Sequence, residues 1–581
     1  MTDTRKPSIV GRRLLRAVAR ITRLYWSSPD ATRGVLLLLL AVALEIGTVF
    51  ATLALADAER RVMDALEQRR AGSFFESTGL FMGVIAGFVL MSTYRIYVRQ
   101  ALEIRWRQGL TDQFLSRWIS RRAFCQAMLH PGEVDNPDQR VAEDIREFVA
   151  SALGLSLSLL SAVASLLAFG GLLWSLSGHF TLQLQGGPFG VPGILLWIAL
   201  AYAAASTWLT HLVGRRLVPI NFERFRVEAD FRYGLVRFRD HVEAVALSRG
   251  EALERLGSFE RFERVVGNWW QLIRAQRNLM LVTTGIGQTN ALVPLLVAAP
   301  AYISGMVSLG TVAQIRFAYG QVSGALTWFV NAYQEIARWR ANIERLTIML
   351  DVMDATMKEV EQAGVRIVPS EAAALRLTDL QLVAPDGSLR LERANATAAA
   401  GQSLAITGPS GSGQTMLLRA VAGIWPFGSG RIEVPAGAQM MFLPQQAYLP
   451  QGSLRLLASY PSAPDCFSDE QMGEALRLLG LDHLQKSLDA VQPWDQVLSG
   501  SEQQLLAFAR VLLNRPEWVF LDKSTSELDE ALEERVYGLL AQRLPHTTVI
   551  SVTQRPSVLR FHTRHWTLLP QDHRASILQT A

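Results

Sequence analysis

The sequence predicts an α-helical membrane domain with six transmembrane helices, followed by a soluble α/β domain. Hydrophobic residues make up 49% of the 581 residues and charged residues 19%, and the mean hydropathy is positive at +0.17. Apolar runs long enough to cross a bilayer all fall before residue 335. Residues 371–581 instead alternate short apolar runs with glycine-rich turns and helical patterns, which is typical of α/β domains.

Residues 1–33 form a basic segment directly before the first apolar run. Opposed only by Asp3 and Asp30, its basic residues are Arg5, Lys6, Arg12, Arg13, Arg16, Arg20, Arg23 and Arg33. Positive charge beside a span is typical of the cytoplasmic side of a membrane, so we expect the N-terminus in the cytoplasm. The first apolar run starts too far along the chain, and is too long, for a cleaved signal peptide. A nucleic-acid-binding arm is the weaker interpretation, and no nucleic-acid partner is expected.

Six apolar runs of roughly 20 residues, the length that crosses a bilayer, predict a membrane domain at 34–350. They lie at 34–56, 78–98, 149–173, 194–213, 281–306 and, with more polar residues, 311–333. The polar connections 99–148 and 214–277 keep a helical spacing, so we expect the helices to continue beyond the membrane. An even number of spans returns the chain to the cytoplasm. There a charged linker at 351–370 precedes the soluble domain at 371–581.

The cysteine content excludes a disulfide-rich secreted protein. The chain has two cysteines, Cys125 and Cys466, which are too few for a disulfide framework or a cysteine metal cluster. Both are expected to be free thiols in a reducing compartment.

A glycine-rich stretch, ITGPSGSGQTMLL (406–418), has the context of a phosphate-binding loop. The run 403–407 is typical of a strand, and 416–422 is typical of a helix. In this order, glycines let backbone N–H groups close around phosphate oxygens in front of a helix N-terminus. The predicted nucleotide-binding residues of the loop are Gly408, Pro409, Ser410, Gly411, Ser412, Gly413, Gln414, Thr415 and Met416.

Further short motifs follow the loop in a fixed order. They are FLPQQAYLP (442–450), LSGSEQQ (498–504), WVFLDK (518–523), SELD (526–529) and TQR (553–555). The residues with a predicted role in these motifs are Gln445, Ser499, Gly500, Asp522, Lys523 and Gln554. A glycine-rich turn alone has a structural explanation, but this ordered set does not arise by chance.

The ordered set resembles the nucleotide-binding domain of ATP-binding-cassette (ABC) transporters. The corresponding motifs there are Walker A, Q-loop, signature, Walker B, D-loop and switch loop. The resemblance implies that ATP binds, with Mg²⁺ held at Thr415, Gln445 and Asp522. It also implies an exporter-type membrane domain and one ATPase domain per chain. Two chains would form the transporter, either two copies of this chain or this chain with a related half-transporter.

Three departures from the family pattern fall on its chemistry. Gln414 stands where the resemblance implies the Walker A lysine, which neutralises the phosphates. Lys523 stands where a glutamate polarises the attacking water, and Gln554 where a histidine contacts the γ-phosphate. No catalytic residue is therefore intact at these positions. Because loss of one such group typically costs about 10²–10⁴-fold in rate, we expect very slow hydrolysis or none.

Smaller departures affect the signature and the D-loop. Ser501 replaces the second glycine of the signature, Leu505 a usual arginine, and Glu527 a usual alanine. In the family, each composite site joins the Walker motifs of one chain to the signature of the other. A heterodimer with an intact partner is therefore an alternative, in which this chain is a non-hydrolysing subunit. Weak ATP binding could survive, because Lys523 can supply a cation close to the triphosphate.

The membrane region is also similar to a known type, the SbmA/BacA-type membrane domain. The matching stretches are LEIRWR (102–107), DNPDQR (135–140), LWSLSG (173–178) and NFERFRVEADFR (221–232). Fused versions of that domain are the YddA-like and ABCD-like half-transporters. The resemblance implies a bacterial inner-membrane transporter of peptides, cobalamin-like compounds or acyl-CoA-type lipids.

A proton-coupled mode is a further alternative. Stand-alone SbmA/BacA-type proteins lack an ATPase domain and resemble proton-driven importers. Coupling needs an ionisable group within the membrane, and Glu45 is the clearest one in an apolar span. The competing interpretation of Glu45 is a helix-packing hydrogen bond, and the sequence does not decide between the two.

Overall fold

The computed structural model describes residues 12–119, 136–179, 182–184, 187–189, 192–361, 364–570 and 575–580. Residues 1–11 of the predicted basic segment lie outside the described residues, as do Cys125 and Asp135. The described residues divide into two compact units, one drawn from residues up to 347 and the other from residue 348 onward together with 116–119.

The first unit is built from long helices. The helices between residues 12 and 361 are α1 (Arg12–Trp26), α2 (Ala31–Glu67), α3 (Ala71–Ile119), α4 (Ile145–Leu176), α5 (Ile194–Gly214), α6 (Leu217–Asp240), α7 (Val242–Leu247), α8 (Glu251–Ile303), α9 (Leu309–Leu326) and α10 (Trp328–Glu361). A helical turn (Pro137–Gln139) and a π-helical turn (Arg140–Asp144) precede α4. Strands β1 (Leu182–Leu184) and β2 (Gly187–Phe189) pair antiparallel between α4 and α5.

Five helical segments in the described residues are long and apolar enough to cross a membrane. They are Ala31–Glu67, Ala71–Ile119, Pro137–Leu176, Ile194–Asp240 and Glu251–Ile303. The predicted count of six spans is not confirmed, because the sixth run is more polar than the others. Within α9 it carries Gln314, Arg316 and Gln321, and Arg316 lies 3.3 Å from the carboxylate of Glu59.

The second unit is an α/β domain built on one mixed sheet. Its strands are β3 (Val365–Ser370), β4 (Ala374–Val383), β5 (Leu389–Ala399), β6 (Leu404–Thr407), β7 (Gly428–Pro435), β8 (Met440–Leu443), β9 (Trp518–Asp522), β10 (Thr548–Val552), β11 (Arg564–Pro570) and β12 (Ser576–Thr580). The strand order is β3-β7-β4-β5-β12-β11-β6-β10-β9-β8. The predicted linker at 351–370 comprises the end of α10 and strand β3 among its described residues.

Helices surround this sheet. They are α11 (Gln414–Val421), α12 (Leu454–Ser459), α13 (Asp469–Leu478), α14 (Trp494–Val497), α15 (Gly500–Asn514), α16 (Glu530–Arg543) and α17 (Pro556–Leu559). Strands β11, β6, β10, β9 and β8 run parallel to one another. Strands β6, β9 and β10 read LAIT, WVFLD and TVISV and are largely buried, as expected for parallel strands covered on both faces.

Parallel strands bring the predicted nucleotide residues to one edge of the sheet. Gly408 directly follows β6, and Asp522 is the last residue of β9. Gln445 and Gln554 each lie two residues beyond the ends of β8 and β10. Ligands of open α/β sheets bind outside the carboxyl ends of the strands, so the topology places these residues where a ligand site is expected.

A buried polar chain links α16, β10 and the segment after α17. The Tyr537 hydroxyl donates to Ser551 Oγ at 3.0 Å, and Ser551 Oγ lies 2.9 Å from His562 Nε2. His562 Nδ1 donates to the Val558 carbonyl at 2.9 Å, and in the neutral ring Nε2 accepts from Ser551. Burial lowers the pKa of His562 below its usual value.

The soluble domain is therefore expected to lose stability as the pH falls below about 6.5, the ordinary histidine pKa. Unfolded His562 takes up a proton there, whereas the buried ring does not, so the loss reaches at most about 1.4 kcal/mol per pH unit. His562→Gln should flatten this dependence. The measurement is the apparent unfolding temperature of the full chain at pH 8 and pH 5.5. An unchanged slope in the variant would refute the assignment.

Candidate nucleotide site

The glycine-rich loop connects β6 to α11 and turns sharply at its glycines. Gly408, Gly411 and Gly413 have φ values of +143°, +85° and +100°, which other residues rarely adopt. Gly408 also leaves no room for a side chain, because a Cβ would lie 2.6 Å from the Leu568 carbonyl oxygen. The backbone itself requires these glycines, independently of any ligand.

The loop has features that fit a phosphate group. Pro409, Ser410 and Gly411 are exposed at its tip, and Met416 packs against the core behind it. Ser412 is only 5% exposed, and its hydroxyl has no hydrogen-bond partner within the described part of the chain. A buried polar group without a partner is costly. A phosphate oxygen entering the loop would satisfy it.

Two glutamine amides converge on one oxygen of this loop. Gln414 Nε2 donates to the Gly408 carbonyl at 3.1 Å, and Gln554 Nε2 donates to the same oxygen at 2.6 Å. A carbonyl oxygen has two lone pairs and can accept both bonds. Gln414 is 5% exposed. Both side chains therefore bind the loop backbone, and neither brings charge to a phosphate.

Two of the three predicted magnesium residues, Thr415 and Asp522, are in contact. Thr415 Oγ1 donates to Asp522 Oδ1 at 3.2 Å, so a hydroxyl and a carboxylate oxygen meet at the start of α11. Gln445 is exposed, and its backbone carbonyl is tied to α15. Mg²⁺ prefers oxygen ligands and is usually held by one or two carboxylates plus substrate phosphates. The Thr415–Asp522 pair fits that requirement.

A cavity of about 220 Å³ lies beside the loop, at the ends of β9 and β10. Its lining residues are Lys523, Thr525, Ser526, Thr553, Gln554 and Arg555. The lining contains two cationic side chains and no carboxylate. Lys523 adopts the left-handed conformation with φ +50°. The position after Asp522 therefore presents a cation to this cavity, where a general base would need a carboxylate.

An arginine that the sequence analysis did not single out organises the neighbouring loop. The Arg555 guanidinium donates to the carbonyls of Thr525, Ser526 and Leu528 at 3.2, 3.1 and 2.9 Å. It also lies 3.3 Å from the carboxylate of Glu533, which is 1% exposed. The residues after β10 thereby hold those after β9 in place. In the sequence, the position of Arg555 directly after Gln554 was the available signal for this role.

Ser499 caps helix α15. Its hydroxyl accepts from the Glu502 N–H at 3.3 Å, and the Glu502 carboxylate accepts from the Ser499 N–H at 2.9 Å. This reciprocal pair is a capping box. The bonds from Ser499 lower the pKa of Glu502, with the backbone N–H as the largest cause. The helix N-terminus already faces an ionised carboxylate.

A second carboxylate lies against the signature. A Cβ on Gly500 would lie 3.4 Å from both Cγ and Oε2 of Glu527, so the Glu527 side chain covers this glycine. Ser501 Oγ lies 3.4 Å from Ser499 Oγ. The start of α15 therefore carries two acidic side chains and an extra hydroxymethyl group, which opposes the approach of a phosphate.

Gln504 connects three of the predicted motifs. The sequence analysis did not predict this role. Its amide Nε2 donates to the Gln445 carbonyl at 2.9 Å and to Ser526 Oγ at 3.1 Å. Its Oε1 accepts from the Glu527 N–H at 3.0 Å. Gln504 is 3% exposed. One buried amide therefore fixes the signature helix to the loops that follow β8 and β9.

Glu45 lies far from these motifs in the chain, in helix α2 of the membrane unit. It is 5% exposed, and its Oε1 accepts from Arg95 Nη1 of α3 at 2.9 Å. Both helices are long and apolar enough to cross a membrane. The predicted intramembrane carboxylate is therefore one half of an interhelical ion pair.

Comparison with known proteins identifies the class. Residues 21–303 match the family ABC transporter transmembrane region 2, and residues 391–526 match the family ABC transporter. The chain belongs to the ABC transporter family. It is an integral membrane half-molecule, with a membrane region and one ATP-binding domain in the same chain.

Several relatives match most of this chain. An uncharacterized ABC transporter ATP-binding protein of Synechocystis is 34% identical over 542 residues, which cover 91% of this chain and 78% of that protein. The inner membrane ABC transporter ATP-binding protein YddA of Escherichia coli is 30% identical over 537 residues, covering 92% and 94%. The lysosomal cobalamin transporter of Homo sapiens is 25% identical over 501 residues, covering 79% of each chain.

Proposed function

We propose that this chain is a dimeric ABC half-transporter that moves a peptide or another amphipathic solute across the bacterial inner membrane, and that its own ATP hydrolysis is impaired. One observation carries the second part: Gln414, Lys523 and Gln554 stand at the positions for the Walker A lysine, the catalytic glutamate and the switch histidine. Phosphoryl transfer depends on positioning and charge stabilisation. These replacements remove the cation that neutralises the phosphates, the group that orients the attacking water, and a contact to the γ-phosphate.

The geometry supports the loss of hydrolysis. Gln414 and Gln554 both bind the Gly408 carbonyl, and the cavity beside them has no carboxylate in its lining. Asp522 is paired with Thr415 and belongs to the metal position. A water molecule in this cavity would meet Lys523, which cannot accept its proton while charged.

Nucleotide binding is expected to persist. The glycine loop, the unpartnered Ser412 hydroxyl and the Thr415–Asp522 pair suit a Mg²⁺-bound triphosphate. Lys523 lines the adjacent cavity and can replace part of the charge that Gln414 lacks. ATP with Mg²⁺ is therefore the expected ligand, with a structural role in place of a catalytic one.

The membrane part is assigned to the SbmA/BacA-like type on its sequence motifs. The proposed membrane domain is 34–350 and the nucleotide-binding domain 371–581, with 351–370 between them and both termini in the cytoplasm. The partner is a second copy or a related half-transporter. The solute classes are peptides, cobalamin-like compounds and acyl lipids, and one relative is named as a cobalamin transporter.

The heterodimer alternative finds less support in the geometry. In a heterodimer with an intact partner, the signature of this chain would have to approach the γ-phosphate of the ATP held by the partner's Walker motifs. Glu527 covers Gly500, and Ser501 adds a side chain at the same place. Like charges at close range cost energy in a partly buried site. In such a heterodimer, the signature of this chain would therefore hinder ATP hydrolysis at the partner's Walker motifs as much as support it.

Transport can be tested with the full chain in proteoliposomes. Uptake of a fluorescent amphipathic peptide is measured with a pH gradient alone, with ATP alone and with both. We expect ATP to change the uptake rate of the natural chain very little. No uptake under any of these conditions, together with none in a hydrolysing revertant, would contradict a transport function for this solute class.

The ion pair of Glu45 and Arg95 favours a structural role for Glu45 over proton coupling. Removing one partner leaves the other unpaired among apolar helices, which is costly. Glu45→Gln and Arg95→Gln should each lower the yield of monodisperse protein, and the double variant should recover part of the loss. The yield is measured by size-exclusion chromatography in detergent. Pairing is disproved if the double variant behaves as the sum of the single ones.

The same variants address proton coupling. If Glu45 carries the coupled proton, Glu45→Gln abolishes uptake driven by a pH gradient even in protein that folds well. If uptake by the folded fraction is unchanged, Glu45 is not the coupling site. We expect the second result.

A further inference from the structure

A cavity of about 320 Å³ lies between α5, α8 and α9 in the membrane unit. Its lining comes from residues 202–210, 283–290 and 320–327. Helices α5 and α8 belong to segments long and apolar enough to cross a membrane. The volume falls at the lower end of ligand pockets, which measure about 300–1,000 Å³.

The lining contains several polar side chains and no charged one. It carries hydroxyl groups from serine, threonine and tyrosine, one carboxamide from Asn290, and no ionisable acid or base other than the Tyr202 phenol. A charged ligand without a countercharge is costly inside a membrane. A purely hydrocarbon ligand would leave the Ser206 hydroxyl and the Asn290 amide NH₂ without a partner. The lining therefore selects an uncharged ligand that forms hydrogen bonds.

Hydrogen bonds within the lining fix its geometry and leave donors available. The Tyr202 hydroxyl donates to the Ile286 carbonyl at 2.7 Å, which joins α5 to α8. Ser323 Oγ donates to Asn290 Oδ1 at 3.2 Å, which joins α9 to α8. Within the described residues, no acceptor is found for the Asn290 amide NH₂ and no partner for the hydroxyl of Ser206, which is 8% exposed.

The cavity also offers acceptors. Thr283 Oγ1 donates to the Leu279 carbonyl at 3.1 Å, and Thr327 Oγ1 donates to the Ser323 carbonyl at 3.1 Å. Each hydroxyl proton is therefore used within its own helix, and each oxygen keeps lone pairs. Free donors on one part of the lining and free acceptors on another match a group that has both.

We propose that this cavity binds an uncharged amide group of the transported solute, such as a peptide bond. The amide carbonyl accepts from Asn290 and Ser206, and the amide N–H donates to a threonine hydroxyl. This assignment rests on the proposed function in treating the ligand as a transported solute. Binding itself can be measured without any transport.

Three glycines in the lining offer positions from which a side chain can enter the cavity. Gly287, Gly320 and Gly324 line it, and a Cβ on any of them would meet no atom within 4 Å. Gly324→Leu should therefore place its Cβ in open space and extend its side chain into the cavity. Gly285 also has no atom within 4 Å of an added Cβ but does not line the cavity. Gly285→Leu is the matched control.

The test uses the full chain in nanodiscs with Cys125 and Cys466 replaced by serine. Thr207→Cys places a reporter thiol in the lining, and Thr210→Cys is a second reporter should the first not react. N-ethylmaleimide labels the reporter thiol, and the labelling rate is measured without peptide, in the presence of N-acetyl-alanyl-alanine amide, and in the presence of zwitterionic alanyl-alanine. At about ten times its Kd the capped peptide should slow labelling about tenfold, and the zwitterion should not.

The variants give the decisive comparison. Protection by the capped peptide should disappear in Gly324→Leu and persist in Gly285→Leu. The proposal is overturned if the capped peptide gives no protection, if the zwitterion protects equally, or if Gly324→Leu is still protected. Protection without transport under any gradient would instead overturn the proposed function and leave the site in place.

Discussion

The triple variant Gln414→Lys, Lys523→Glu and Gln554→His is expected to hydrolyse ATP about 10²-fold faster than the natural chain, or more. The lysine restores a cation at the β- and γ-phosphates, and the glutamate supplies a carboxylate to a cavity whose lining has none. The histidine replaces an amide that binds the Gly408 carbonyl. Phosphate release by the full chain in lipid, with Mg²⁺, measures the rate.

The controls for this variant separate real turnover from contamination. Adding Asp522→Asn to the triple variant removes the carboxylate of the proposed metal position and should return the rate to background. Single replacements should gain much less than the triple variant, because groups that act as a unit are not additive. A natural chain as fast as the triple variant would contradict the impaired-ATPase account.

Glu533→Ala is expected to lower the stability of the soluble domain by about 3 kcal/mol. Glu533 is 1% exposed and accepts from Thr525 Oγ1 at 2.6 Å and from Ser557 Oγ at 2.7 Å. It also lies 3.3 Å from Arg555. The truncation leaves the buried Thr525 hydroxyl without this acceptor and removes one partner from Ser557 and from Arg555. Arg555 keeps its bonds to the backbone carbonyls of the loop after β9. The apparent unfolding temperature of the full chain should fall by roughly 6–12 °C.

Glu530→Ala is the matched control for that prediction. Glu530 lies in the first turn of the same helix and is exposed, so its removal should cost at most about 1 kcal/mol, the usual value of a charge near a helix N-terminus. Equal shifts for the two variants would show that the buried network does not stabilise the domain. Glu533→Gln should lie between them, because an amide oxygen can still accept.

The fold class followed from the sequence because its signals are local. Long apolar runs, a strand before a glycine loop and a helix after it are each visible within about 20 residues. Among the described residues, five helical segments are long and apolar enough to cross a membrane. Gln314 and Arg316 interrupt the sixth run, and its hydropathy is as typical of a helix buried against neighbours as of a span.

The contacts of the site were not predictable in the same way. Gln414 and Gln554 are 140 residues apart in the numbering, and only the sheet brings their amides to one carbonyl. Arg555 and Gln504 hold loops together through bonds to backbone carbonyls, which leave no mark in the sequence. Glu45 was visible as an intramembrane carboxylate, but its partner on the next helix was not.

The nucleotide site is expected to hold ATP without turning it over. To test this, the full chain in lipid is incubated with Mg²⁺ and ATP radiolabelled at the α-phosphate, the protein-bound nucleotide is isolated, and ATP is separated from ADP. We predict saturable, Mg²⁺-dependent binding, with the nucleotide recovered as ATP. Recovery as ADP, with continuous release of phosphate abolished by Asp522→Asn, would contradict the account.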